Sequence, residues 1–183
     1  MLDRDTTLLE RLARVIQNEA HHAGLKPTQW EALRYLARAN RFSRSPGALT
    51  AYLGMTKGTV SQTLHALERK GLVEKKTAPT DRRGVAIDVT PAGTALLGED
   101  PLEETQAAIG RLPAKDRAAL AEALEKLLKT MLERRGGRPF GACRTCIHFR
   151  RGHAEGAPHF CALLAEPLSE EDSTLICAEQ EAA

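Results

Sequence analysis

The chain has 183 residues, 42% of them hydrophobic and only 4% aromatic, which predicts one or two globular domains with mostly aliphatic cores. No apolar run approaches the length of a membrane-spanning helix, and the first residues lack the apolar centre of a signal peptide. Both observations argue against a membrane or secreted protein, so we expect a cytoplasmic one.

The net charge of +2 hides an uneven distribution along the chain. Residues 1–135 carry 22 basic and 17 acidic side chains, whereas residues 136–183 carry 4 basic and 7 acidic ones. The basic surplus is concentrated in residues 41–83, with 9 basic against 3 acidic side chains. A solvated basic face is the plain interpretation, but the surplus coincides with the motif described below and predicts a surface for a polyanion.

The first two segments have the pattern of amphipathic helices. Residues 5–23 form the first, with Thr7 and Glu10 placed as a capping box. Its apolar face is formed by Leu8, Leu12, Val15 and Ile16. Residues 28–39 form the second, in which we expect Trp30 to pack in the core rather than bind a ligand.

The next stretch reads as two short helices joined by a tight turn. Pro46 suits the first turn of one helix, and Gly54 ends it. Thr56 can cap the second helix, which ends at Gly71. Its buried stripe is predicted to be Val60, Leu64 and Leu67.

The opposite face of this second helix is polar and suits a base edge or a phosphate better than a core. It carries Thr56, Lys57, Thr59, Ser61, Gln62, His65 and Arg69. We expect the helix to enter the major groove of double-stranded DNA, where Gln62 can pair with adenine in a bidentate way. Thr59, Ser61 and His65 can reach bases or phosphates, and Lys57 is a phosphate contact.

The segments LVEKK and VAIDV then read as two strands joined by a polar loop that contains Arg82 and Arg83. We expect Arg82 to reach into the minor groove, and Asp81 to orient an arginine. Helix, turn, helix and basic hairpin together predict a winged helix-turn-helix. This is a mainly α fold with a small β wing, and its reading head covers residues 46–90.

Two further helices are expected after the wing. One begins at Thr90, continues past Gly98, bends at Pro101 and ends near Leu112. The last one runs to about Arg135. Its wide apolar stripe is formed by Leu120, Leu124, Leu127, Leu128 and Met131. This stripe and the first helix hold more apolar surface than one small winged domain can cover.

The runs GTVSQTLHALERKGLVEK and DRRGVAIDVTPAG resemble the MarR family of bacterial transcription regulators. The family's wing motif, D-x-R-x6-T-x-x-G, is matched by Asp81, Arg83, Thr90 and Gly93. The resemblance covers roughly residues 5–135 and implies a regulator, often a repressor, rather than an enzyme. In that family the first and last helices interlock between two subunits. A homodimer would therefore read a palindromic operator, with half-sites about one helical turn apart.

All four cysteines lie in the last 48 residues, in the pattern C-x2-C-x14-C-x15-C formed by Cys143, Cys146, Cys161 and Cys177. In a cytoplasmic protein such clustering indicates metal binding or redox chemistry before disulfides. Zinc sites usually use two close pairs, whereas one close pair and two isolated cysteines favour a larger body reached from several directions. The spacing resembles that of high-potential iron–sulfur proteins. We expect a [4Fe–4S] cluster before a [2Fe–2S] cluster, with Zn as the alternative.

Residues 136–183 are thus predicted to be a small cysteine-rich, irregular module. Phe140, Phe149 and Phe160 each lie within three residues of a cysteine and are expected to form an apolar shell. His148, His153 and His159 lie among the cysteines and could replace one as a ligand.

The module follows the last helix through a flexible Gly136-Gly137 hinge, so we expect the cluster to act on the dimer base. The predicted function is a DNA-binding regulator that senses redox state, oxygen, nitric oxide or iron. Three alternatives remain open at this stage. They are an electron-transfer module, a structural zinc site, and a small phenolic effector bound near the dimer base.

Overall fold

The computed structural model describes residues 3–77, 84–152 and 156–182. Its first half contains helices α1 (Arg4–Glu19), α2 (Pro27–Arg38), α3 (Pro46–Leu53) and α4 (Lys57–Arg69) and strands β1 (Val73–Thr77) and β2 (Val85–Val89). Helices α5 (Pro91–Leu97), α6 (Leu102–Gly110) and α7 (Ala114–Arg134) follow. The C-terminal region holds strands β3 (Gly141–Ala142), β4 (Phe149–Arg151), β5 (His159–Cys161), β6 (Glu166–Leu168) and β7 (Ile176–Cys177), and helix α8 (Glu170–Thr174). The fold is mainly helical with small antiparallel sheets, as the sequence predicts.

The helix-turn-helix forms where its capping residues place it. Ser45 Oγ accepts the backbone N–H of Ala48 at the start of α3, and Thr56 Oγ1 accepts that of Thr59 at the start of α4. Gly54 ends α3 with φ of 62°, a left-handed conformation that glycine adopts without strain. The predicted stripe of α4 is buried in the main core, with Val60, Leu64 and Leu67 at most 3% exposed.

The base of the wing is fastened to α5 by two residues of the wing motif. Strands β1 and β2 pair antiparallel, with Val73 opposite Val89. Thr90 Oγ1 donates to the carbonyl oxygen of Gly71 at 2.6 Å and accepts the N–H of Gly93 at 3.1 Å. A Cβ on Gly93 would lie 2.2 Å from the carbonyl oxygen of Leu72. Thr90 and Gly93 therefore allow α5 to approach the backbone that leads into the wing.

Three expectations about helix ends are wrong. The first helix ends at Glu19 rather than at residue 23. The first helix is capped by Asp3, whose side chain accepts the N–H of Thr6, rather than by a Thr7 and Glu10 capping box. An aspartate one turn earlier satisfies the same free N–H groups and also suits the positive end of the helix dipole. The single bent helix expected after Thr90 is two helices, because the chain leaves α5 at Gly98 and starts α6 after Pro101.

Helices α1 and α7 leave large apolar side chains on the surface of the single chain. Those at least 41% exposed are Leu8, Leu9, Leu12, Val15, Leu124, Leu127, Leu128 and Met131. These are largely the residues that form the predicted apolar stripes. In the described part of the chain, no helix combines the length and apolar character needed to cross a membrane.

The C-terminal region is more regular than its sequence predicts. Strands β4, β5 and β6 form an antiparallel sheet in that order, and β3 pairs with β7. Phe140 and Ile176 pack against the main core, and Ile176 also forms a bridge with Ala39 at the end of α2. The cysteine-rich region is therefore packed onto the winged domain through the connection between α2 and α3.

Candidate functional site

Helix α4 presents a continuous polar face. The predicted DNA-contacting residues of α4 and its N-cap are exposed: Thr56, Lys57, Thr59, Ser61, Gln62, His65 and Arg69. The buried stripe on the other side of α4 holds this face outward, so the polar side chains are available to a partner. Arg82, Arg83 and Asp81 lie outside the described residues, and their predicted roles remain sequence-based.

One acidic residue, Glu68, lies at the edge of this polar face. Glu68 Oε2 is 2.7 Å from Lys75 Nζ of β1 and 3.5 Å from His65 Nδ1. The hydrogen bond from Lys75 lowers the pKa of Glu68. Glu68 therefore remains an anion and positions two basic groups between the helix and the wing.

An open groove of about 930 Å³ runs along α4 and the start of α2. Gln62 and Arg69 line it from α4, and Lys26, Thr28 and Gln29 line it from the other side. Sequence reasoning missed Lys26, because its side chain reaches the groove only once α2 has packed across α4. The groove thus extends the polar surface beyond the recognition helix.

The four cysteines meet around one small cavity of about 10 Å³, although they come from three separate segments of the chain. Cys143 begins a 3-10 turn after β3, Cys146 follows that turn, Cys161 ends β5, and Cys177 ends β7. Cys143 and Cys177 are each 6% exposed, and all four are free thiols. Within the described ranges, no three His, Cys, Asp or Glu side chains converge closely enough to hold a single metal ion.

Cys143 and Cys177 form a hydrogen-bonded pair of buried thiols. The hydrogen bond to Cys177 raises the pKa of Cys143, and burial adds to that shift. The same hydrogen bond lowers the pKa of Cys177. Cys177 is therefore the thiol of the pair that ionises first, and a thiolate is the form that binds metals.

The apolar surroundings of the cavity differ from the predicted shell. Phe149 lines the cavity, and Leu168 is buried beside Cys143 and Cys177. Phe140 instead packs on Tyr35 and Tyr52 in the main core, with ring centroids 6.1 and 5.2 Å away.

Phe160 lies between His159 and Cys161 in β5, so strand alternation places it on the opposite face from Cys161. The side chain missed by sequence reasoning is Phe42, which packs against the cysteine cluster from the α2–α3 connection.

The histidines near the cysteines have different surroundings. His148 lines the cavity and lies 3.5 Å from Glu181 Oε1. His159 Nε2 lies 2.8 Å from Glu170 Oε2, and its ring packs on Phe149. His153 is outside the described residues. Of the two that are described, His148 is the one placed to contact a group bound in the cavity.

Four consecutive residues after α2 contact the cysteine-rich region. Asn40 Nδ2 donates to Cys143 Sγ at 3.1 Å, and Ser43 Oγ accepts the N–H of Ala178 at 2.8 Å. Arg41 lies 2.9 Å from Asp172, and Phe42 packs on the cysteine cluster. Nothing in the sequence indicates that these residues lie near the cysteines, because the contacts join residues more than 100 positions apart in the chain.

Comparison with known proteins gives sequence matches over part of the chain. Residues 23–84 match the family model described as MarR family. A putative transcriptional regulatory protein for the hcr operon of Thauera aromatica is 28% identical over 109 residues, which are 58% of this chain and 64% of the relative. This match therefore spans less than two thirds of that relative's length.

Solved structures share the fold at low sequence identity. The MepR–DNA complex of S. aureus has a TM-score of 0.57 and 21% identity, covering 71% of this chain and 99% of its own. CouR from Rhodococcus jostii RHA1 bound to p-coumaroyl-CoA has a TM-score of 0.57 and 22% identity, covering 68% and 92%.

Wild-type MarR from E. coli in its apo form has a TM-score of 0.54 and 22% identity, covering 70% and 98%. At these identities the structural likeness is one of fold. Residues 23–84 are thus similar in sequence to the MarR family, and the chain shares the winged helix fold of these solved structures.

Proposed function

We propose that the protein is a homodimeric DNA-binding repressor of the MarR type, whose affinity for a palindromic operator depends on an iron–sulfur cluster. The cluster is held by Cys143, Cys146, Cys161 and Cys177. The observation that carries this proposal is the arrangement of four thiols around one cavity, packed directly against the segment that leads into the helix-turn-helix. The proposed signal is iron status, oxygen, nitric oxide or redox state.

The DNA-binding part is supported by the exposed face of α4. A helix that is buried on one side and carries mostly polar and basic groups on the other suits the major groove. Lys26 and Arg69 add positive charge along the adjoining groove, where a phosphate backbone would lie. MepR of S. aureus, which shares this fold, has been solved as a complex with DNA.

The dimer is supported by the exposed apolar faces of α1 and α7. Leu12 is 58% exposed and Leu128 is 59% exposed, and both lie in rows of similar side chains. Covering these rows with a second copy removes apolar surface from water, which stabilises association. A two-fold axis between the copies would place two α4 helices on one side of the assembly.

The cluster is supported by the chemistry of the donor set. Four thiols are the usual ligands of [4Fe–4S] and [2Fe–2S] clusters, and Phe149 and Leu168 provide apolar shielding. A bound cluster would supply a one-electron redox centre whose integrity depends on iron and oxidants. Cys143 and Cys177 lie on the buried side of the cavity, whereas Cys146 and Cys161 are less buried, so access to the site is expected from their side.

The DNA-reading proposal can be tested by selecting duplexes from a random pool and measuring affinity by fluorescence anisotropy. Gln62→Ala should bind the selected operator more weakly and discriminate less well against single base changes, because one bidentate base contact is lost. Gln17→Ala removes an exposed glutamine from α1 and is the matched control. Parental affinity and discrimination in Gln62→Ala would contradict the proposed reading of bases by α4.

The cluster proposal is tested on protein purified without oxygen. We expect a brown preparation that contains iron and acid-labile sulfide, and operator affinity that changes when a chelator removes the iron. The Cys143→Ser/Cys177→Ser variant should lose both the colour and the change in affinity. A colourless protein that contains zinc and no iron would show that the site binds zinc and not a cluster. Unchanged affinity after complete cluster loss would refute sensing while leaving DNA binding intact.

A further inference from the structure

The segment of residues 39–44 is held on one side by the cysteine-rich region. Asn40 is fully buried and donates twice, from its backbone N–H to the Ile176 carbonyl oxygen at 2.8 Å and from Nδ2 to Cys143 Sγ at 3.1 Å. Ser43, which is 1% exposed, accepts the N–H of Ala178 next to Cys177. The segment is therefore bonded to Cys143 through Asn40, and the side chains of Asn40 and Ser43 also hydrogen-bond to Cys177.

The same segment is held on its other side by the reading head. The carbonyl oxygen of Arg44 accepts the N–H of Ile87 in β2 at 2.7 Å, and the Arg44 guanidinium lies 3.4 Å from Asp88. The next residue, Ser45, caps α3. Tyr35 of α2 donates its hydroxyl to the carbonyl oxygen of Ser43 at 2.8 Å. A displacement of this segment would thus reach the base of the wing and the first helix of the helix-turn-helix together.

We propose that residues 39–44 are the coupling segment between the cysteine site and the DNA-reading head, and that Asn40 is the positioning residue that links the segment to Cys143. This inference rests on the proposed function, because it says how the bound state of the site alters DNA affinity. The sequence analysis places the coupling between cluster and DNA affinity at the dimer base. The proposed segment places it instead in a short contact inside each subunit.

The physical basis is the burial and directness of the contacts. Asn40 satisfies its side-chain oxygen as well, which accepts the N–H of Phe42 at 3.2 Å. Since buried polar groups that lose their partners are costly, the segment follows Cys143 and β7 rather than separating from them. Any change in the positions of Cys143 and Cys177 on cluster binding is then transmitted to Arg44 and Ile87.

Substitutions at Arg41 and Ser43 can weaken the coupling while all four cysteines are kept. Arg41→Gln removes the ion pair with Asp172, and Ser43→Ala removes the acceptor for the Ala178 N–H. Arg138→Gln is the matched control, because it removes an ion pair of similar length, 2.8 Å to Glu179, that does not involve the segment. All proteins are full-length and purified without oxygen, and iron and sulfide contents are measured for each.

The readout is the ratio of operator affinities with and without the cluster. We expect a ratio of about fivefold or more in the parent and in Arg138→Gln, the lower range of allosteric coupling. The Arg41→Gln/Ser43→Ala variant should retain parental iron and sulfide while its ratio falls below about twofold. Retention of the parental ratio in this variant would overturn the coupling segment.

Hydrogen exchange separates this route from one through the dimer base. Removing the cluster from the parent should speed amide exchange in residues 39–44 and 85–89 but leave residues 114–134 unchanged. A change confined to residues 114–134 and the cysteine-rich region would refute the proposal. A parent protein that holds no iron and sulfide, or whose affinity ignores them, would instead refute the proposed function, and this inference with it.

The role of Asn40 can be tested by measuring the reduction potential of the cluster. Asn40→Ser removes the amide donor to Cys143 Sγ while keeping a small polar side chain. Since hydrogen bonds to cluster sulfurs favour the reduced form, we expect a lower reduction potential in this variant, with iron and sulfide unchanged. A parental potential would exclude Asn40 as the link to the cluster ligand.

Discussion

Gly93 offers the sharpest quantitative prediction. In Gly93→Ala the new methyl group would lie 2.2 Å from the carbonyl oxygen of Leu72 and 2.8 Å from Val89 Cγ1. Ordinary contacts between such atoms are about 3.5 Å, so α5 and the wing base must separate by roughly 1 Å. The obstacle is backbone, which no rotamer change relieves, and the shift also strains the hydrogen bonds that Thr90 makes with Gly71 and Gly93. We expect a loss of about 3 kcal/mol in the free energy of unfolding.

The assay is urea unfolding followed by far-UV circular dichroism, at one fixed protein concentration because the stability of the proposed dimer would depend on it. Gly110→Ala is the matched control, since a methyl group there meets nothing within 4 Å and lies in a helix. That control should be unchanged or more stable by up to about 1 kcal/mol. A Gly93→Ala midpoint equal to that of the parent would show that the close approach between α5 and Leu72 is not part of the folded state.

Three other predictions concern the cap, the dimer and the cysteine site. Thr90→Val should cost about 1–2 kcal/mol in unfolding free energy because it removes a helix cap, whereas Thr130→Val on the exposed face of α7 should change it by less than about 0.5 kcal/mol. Leu128→Glu should shift the protein from dimer to monomer in sedimentation experiments, whereas Leu163→Glu, which alters an exposed leucine of the cysteine-rich region, should not. Dimeric Leu128→Glu would count against α7 as the interface. Phe42→Ala should shorten the lifetime of visible absorbance in air, and an unchanged decay would mean that Phe42 does not shield the site.

The helix-turn-helix could be predicted closely because its signals are local. Pro46, Gly54 and Thr56 mark helix ends through the conformations and hydrogen bonds of their own neighbours. The stripe of Val60 and its partners follows from helical periodicity alone. The break between α5 and α6 was missed because Gly98 and Pro101 permit either a bend or a stop, and packing decides between them.

The apolar side chains around the cysteines could be predicted less well, because residues that are close in sequence are not always close in space. Phe140 is three residues from Cys143, yet it packs on Tyr35 and Tyr52 in the main core. Phe42 is about 100 residues away and packs against the cysteine cluster. Phe160 lies on the face of β5 opposite Cys161. The sequence did not predict this, because β5 is recognised as a strand only from its pairing with β4 and β6.

The sequence by itself determined helix α4, its polar face and the grouping of the four cysteines, because residue type and short-range spacing encode helix caps and amphipathic periodicity. Only the tertiary structure decided that the cysteines share one cavity and that Asn40 and Ser43 connect this cavity to the wing. Those contacts join residues more than 100 positions apart, and chain packing rather than local preference brings such residues together.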